Sequence, residues 1–139
     1  MKGLRRYINN MQKYSFRTDD DEIVRVKYIE DSKGYYAGDD GHIYRVWYDK
    51  DGHIVQSRLK EGYNNRGYVT ANIYWEYGGC TTKTVHKLIF DAWNGIKREK
   101  EIDHINGDKA DNRLDNLRRV SHSENMQHYF ALVKALREA

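Results

Sequence analysis

The apolar pattern of this chain changes period at Thr84, from the two-residue repeat of strands to the 3.6-residue repeat of helices. That change confines the sheet to the first part of the molecule. Val69, Ala71, Ile73 and Trp75 alternate with Thr70, Asn72, Tyr74 and Glu76, so one face of this strand is buried and the other wet, and Gly78-Gly79 turns the chain. Earlier runs at 23–29, 35–37, 43–48 and 54–59 are short and rich in strand formers, with Asp40-Gly41 and Asp51-Gly52 as hairpin-turn signals between them. They predict an antiparallel meander. After Thr84, the spacing of Val85, Leu88, Ile89, Ala92 and Trp93 predicts a helix, capped by Thr84 and ended by Asn94-Gly95 in the left-handed conformation. A strand at 101–105, a turn-rich loop, a strand at 116–121 and a last helix follow. Ser121 and Glu124 have capping-box spacing for that helix, and Met126, Tyr129, Phe130, Val133 and Leu136 form its apolar stripe.

Composition narrows the class. A chain of 139 residues that is 39% hydrophobic has room for one modest core or two very small ones. The single cysteine, Cys80, rules out an intrachain disulfide and a cysteine-rich zinc site. No apolar run approaches the roughly 20 residues that span a bilayer, and MKGLRRYINN lacks a signal-peptide core, so a cytoplasmic protein without a membrane partner is expected. The net charge of +3 is uninformative, but its distribution is not. Lys2, Arg5, Arg6, Lys13 and Arg17 precede any acid, and Asp19, Asp20, Asp21 and Glu22 follow as a block. Such an arm can track a phosphate backbone or be a solvated tail. The twelve tyrosines can stack on bases or simply pack. His42, His53 and Cys80 read as structural or incidental, and Trp75 and Trp93 as core.

Between Glu101 and His128 the chain is polar where a core hairpin should be apolar. Singly, each Asn or Asp is an ordinary turn residue and each histidine an ordinary polar group. Together they suit phosphodiester cleavage, which needs an activated water, neutralised phosphoryl charge and help for the departing oxygen. Asp103 offers a carboxylate oxygen to a metal. His104 offers an imidazole, whose ordinary pKa of about 6.5 suits a general base. Neighbours on a strand point to opposite faces, so sharing one site requires a twist or bulge there. Asn116, across the hairpin, is placed to orient His104, and Asn125, in the first turn of the last helix, to supply the second metal oxygen.

VHKLIFDAW followed by IDHINGDKADNRLDNLRRVSHSENMQH resembles the HNH endonucleases of phages and mobile introns, with a helix bearing an early His, a DHxxG turn, an N-x-x-x-N-L stretch and a helix opening with E-N. The stretch YYAGDDGHIYRV more loosely resembles the small β module found upstream in these enzymes. The resemblance implies Asp103 and Asn125 as metal ligands, His104 as general base, Asn116 as the residue orienting it, and products with 5′-phosphate and 3′-hydroxyl ends. It implies an α+β fold with an N-terminal antiparallel sheet, a connecting helix and a C-terminal ββα-metal (His-Me finger) motif. The expected division is 1–80, a basic arm and β module contacting DNA, and 81–139, the nuclease domain.

Where HNH signatures end on His, this chain has Asn125. Two oxygen donors favour one Mg²⁺ or Mn²⁺ ion over Zn²⁺. The expected partner is double-stranded DNA, contacted by His86, Arg113, Arg118, Arg119 and His128, with a solvated face as the alternative for each. Lys97, Arg98 and Lys100 are further candidates. A phage or homing role fits this reading. The rivals are a non-catalytic DNA-binding protein that keeps the ββα unit as scaffold, an RNA-directed nuclease, and a structural or protein-binding domain. Monomer and homodimer both remain open.

Overall fold

The computed structural model describes residues 6–9, 11–98 and 100–139. Lys2, Arg5 and the rest of the first five residues lie outside that range. The remaining basic positions of the expected arm belong to strands, because Arg6 falls in β1 (Arg6–Tyr7) and Lys13 and Arg17 in β2 (Lys13–Arg17). The meander continues through β3 (Ile23–Tyr28), β4 (Tyr35–Gly38), β5 (Ile43–Tyr48) and β6 (Ile54–Arg58). Hairpin neighbours pair in sequence from β2 to β6, and β1 pairs with Trp47 and Tyr48 at the end of β5. A second sheet, β7 (Gly62–Tyr63), β8 (Val69–Tyr74) and β9 (Cys80–Thr84), is a three-stranded meander.

Alternation decides what each sheet buries. Val69, Ala71, Ile73 and Trp75 are buried while Asn72, Tyr74 and Glu76 are exposed, as the period-two pattern requires. The first sheet is covered on both faces. Tyr35, Ala37 and Ile43 join β8 and the helix α1 (Val85–Asn94) in the main core, whereas Val24, Val26, Tyr36, Tyr44 and Val46 form a second core with Phe16 and Tyr14. Trp75 is buried in the main core, and Trp93 packs on it from α1 while donating Nε1–H to the Ala37 carbonyl at 3.0 Å.

Helix α1 buries Val85, Leu88 and Ile89. Thr84 stands at its N-cap but makes no side-chain capping bond, and Gly95 ends it with φ 81° and ψ 161°, positive but outside the left-handed helical region. Then come β10 (Glu101–His104), a one-turn 3-10 helix (Leu114–Asn116), β11 (Leu117–Val120) and α2 (His122–Glu138). The capping box is present in full: Glu124 N–H donates to Ser121 Oγ, and the Glu124 side chain accepts from the Ser121 backbone. The apolar stripe of α2 is not used as expected. No residue of this helix is buried, and Tyr129, Phe130 and Leu136 are exposed. The fold is α+β, and no described helix is long and apolar enough to cross a membrane.

The composition break near residue 80 falls within the β8–β9 hairpin, where Tyr74 pairs with Cys80. The main core also joins the two parts, since Ile29 and Ile43 share it with Val85, Ile89 and Leu117.

Candidate active site

The β10–β11 ladder is regular, with Asp103 opposite Arg118 and His104 opposite Leu117. No bulge brings Asp103 and His104 to one face. Both side chains are buried, but their partners diverge. Asp103 looks toward α2, where its Oδ2 accepts from Arg118 Nε at 3.0 Å and Nη2 at 2.9 Å and stands 2.7 Å from His128 Nδ1. His104 looks toward α1 and β8, where its ring lies 4.9 Å from that of His86 and 6.0 Å from that of Tyr68.

His104 is aimed by Asn112, whose Oδ1 is 2.7 Å from Nε2. An amide oxygen only accepts, so Nε2 is the donor in this contact and Nδ1 is left free of it. Asn116 was expected in this role and does something else. Its Oδ1 accepts from the Asn106 N–H at 3.1 Å, while its Nδ2 donates to Asn106 Oδ1 at 2.9 Å and to the Asp111 carbonyl at 2.8 Å. These bonds fold the 104–112 loop so that Asn112 meets His104. From the sequence Asn116 alone is picked out for this role, because the contact that brings Asn112 to His104 is tertiary.

The loop is braced from outside. Gly41, at φ 96°, lets the β4–β5 turn lie against the Asn112–Arg113 peptide, where a Cβ would come within 2.8 Å of Arg113 N. The Leu114 N–H donates to the Asp39 carbonyl nearby, at 3.1 Å. On the other side Lys109 Nζ sits 4.7 Å over the Tyr68 ring and donates to the Arg66 carbonyl at 2.7 Å. Tyr68 stacks on His86 at 4.9 Å. His86 has a buried Nδ1 without a hydrogen-bond partner, and burial, with His104 and Lys87 beside it, pushes its pKa down to about 4. It is neutral at pH 7.

The other residues expected on DNA have partners within the protein. Arg113 forms a two-point pair with Asp111 at 2.8 Å, which lowers the Asp111 pKa to about 2. Arg119 is turned inward, bonded to the Gly95 carbonyl and lying 4.9 Å over the Phe90 ring, so it fastens the end of α1 instead of presenting a surface cation. Arg118 and His128 face Asp103. Lys97, Arg98 and Lys100, between α1 and β10, are exposed. Asn125 donates Nδ2–H to Glu101 Oε2 at 2.6 Å.

The donor chemistry suits a divalent cation at Asp103. A buried carboxylate gathers the Arg118 guanidinium and the His128 ring onto one oxygen, and an amide stands on the facing helix. A different group, Asp49, Asp51 and His53, has ligand atoms within 4.8 Å of one another in the β5–β6 turn. There Asp49 Oδ1 accepts the Asp51 and His53 backbone N–H groups, as a turn-closing carboxylate does.

The HNH endonuclease family model matches residues 83–127, the stretch that holds His86, the Asp103-His104 strand and the start of α2. This is an HNH-family segment. An uncharacterized HNH endonuclease of Acanthamoeba polyphaga mimivirus, L247, is 31% identical over 110 residues, which is 77% of this chain and 26% of that protein. The solved HNH homing endonuclease I-HmuI superposes with a TM-score of 0.62 at 26% identity, over 82% of this chain and 65% of its own. The chain thus spans about a quarter of the mimiviral relative and somewhat under two thirds of the homing endonuclease. The likeness to I-HmuI extends well beyond the HNH segment, so the preceding sheets belong to the shared architecture.

Proposed function

We propose that the chain is a metal-dependent DNA endonuclease that hydrolyses phosphodiester bonds at the end of β10. The observation that carries this reading is the pair of buried neighbours, Asp103 and His104, each aimed by its own partners to a different side of the strand's end. Displacement at phosphorus is in-line, with the attacking and leaving oxygens on opposite sides. A phosphodiester laid across the strand's end therefore meets the imidazole on one side and the carboxylate on the other. His104 Nδ1 takes the proton from the attacking water, because Asn112 occupies Nε2. Asp103 and Asn125 would hold one Mg²⁺ or Mn²⁺ ion, which would neutralise phosphoryl charge and stabilise the departing 3′ oxygen. Arg118 and His128, which contact Asp103, would face the phosphate once the cation is held there.

The solved homing endonuclease I-HmuI binds and cleaves DNA, which supports DNA as the substrate, and we take it to be double-stranded. In this reading residues 81–139 carry the chemistry and residues 1–80 contact DNA, and the role is phage or homing, the second being that of I-HmuI. The test is supercoiled plasmid with Mg²⁺, Mn²⁺ or EDTA. Nicking or linearisation that needs the metal and disappears in His104→Ala supports the reading. A wild type that binds plasmid and leaves it intact with every metal contradicts it.

A further inference from the structure

Glu101 has no part in the scheme above, yet it is the residue that touches Asn125. It lies two positions before Asp103 on β10 and so on the same face, toward α2. Its Oε2 accepts from Asn125 Nδ2 at 2.6 Å, and its Oε1 is 2.7 Å from His122 Nδ1. The Ser121–Glu124 capping box fixes the start of α2 above it.

An asparagine amide has two ends of nearly equal shape and opposite chemistry. Oδ1 has lone pairs for a hard cation, whereas Nδ2 presents only hydrogens. An unrestrained amide can turn either end to the metal. A carboxylate only accepts, so beside Glu101 the Nδ2 end is held, and a flipped amide would set oxygen against oxygen.

We infer that Glu101 is a positioning residue that fixes the polarity of the Asn125 amide, holding Nδ2 so that Oδ1 is the end offered to a hard divalent cation shared with Asp103. The inference rests on Asn125 being a ligand, as proposed above. Removing groups that orient a metal ligand typically weakens metal binding roughly 10- to 100-fold.

The test is Mn²⁺ affinity of the full chain, by calorimetric titration without DNA. Glu101→Ala should weaken binding roughly 10- to 100-fold, and Glu101→Gln, whose amide oxygen still accepts from Nδ2, should lose less. Asn125→Asp presents two equivalent oxygens, so removing Glu101 in that background should cost no affinity. Glu101→Thr, a strand-compatible residue without a carboxylate, replaces the alanine variant if that one does not fold. Unchanged affinity in Glu101→Ala, or the same loss in both backgrounds, overturns the inference. If Asn125→Ala binds Mn²⁺ as well as wild type, the ligand assignment itself fails and the inference falls with it.

Discussion

His86 is the residue whose physics is least like that of its neighbours, a histidine kept neutral with a buried nitrogen left unpaired. In the unfolded chain its imidazole protonates near about 6.5. In the fold that proton is taken up only near about 4. Between these values the unfolded state binds more protons, so stability is fully present above the upper value and is lost as pH falls toward the lower one, by something on the order of 3 kcal/mol. Thermal melts at pH 7 and pH 4.5 should show this loss, and His86→Phe, which keeps a ring against Tyr68 and removes the titration, should reduce it. Equal acid sensitivity in the variant would place the effect elsewhere. The residue scale is also where the sequence was most and least legible. The Asp103-His104 pair stands out because two buried polar residues end a strand. Asn112 and Glu101 did not, because each is defined by the one side chain it touches, and nothing in linear spacing separates Asn112 from Asn116 or marks Glu101 as more than a strand-edge acid.

At the scale of elements, period read out well because it is local, and of the expected caps the Ser121–Glu124 box formed while Thr84 makes no side-chain capping bond. The alternation of β8 and the Ser121–Glu124 box are both present as spelled. Of the N-terminal basic stretch, Arg6, Lys13 and Arg17 lie in strands, because pairing with β5 and β3 is a long-range event that charge pattern does not report. The stripe of α2 stays exposed for a similar reason, since amphipathicity shows that a face is apolar without showing what covers it. The β4–β5 turn makes the most specific claim here. Gly41→Ala must accept both a positive φ and a Cβ within 2.8 Å of the Asn112–Arg113 backbone, so the loop that holds His104 has to shift. We expect a loss of about 1–3 kcal/mol in denaturant melts and a fall in cleavage rate. Gly52→Ala, with nothing near its Cβ, serves as the control for positive φ alone. If both variants behave alike, the brace contributes nothing to the site.

For the whole molecule, the main core matters most, because it takes residues from the first sheet, from β8, from α1 and from β11. A core shared in this way predicts one cooperative transition: far-UV circular dichroism and tryptophan fluorescence should give coincident denaturant curves. Two separated transitions would mean that the sheet and the HNH segment fold independently. Binding to DNA should weaken steeply with salt, as phosphate contacts require. The central claim is that His104 is the base of a phosphodiester-cleaving site, and single-turnover cleavage of an end-labelled duplex tests it most directly, with protein in excess so that wild type and His104→Ala are compared fully bound. The account predicts equal binding and a rate lower by roughly 10²- to 10⁴-fold in the variant. Cleavage by His104→Ala at the wild-type rate would contradict it.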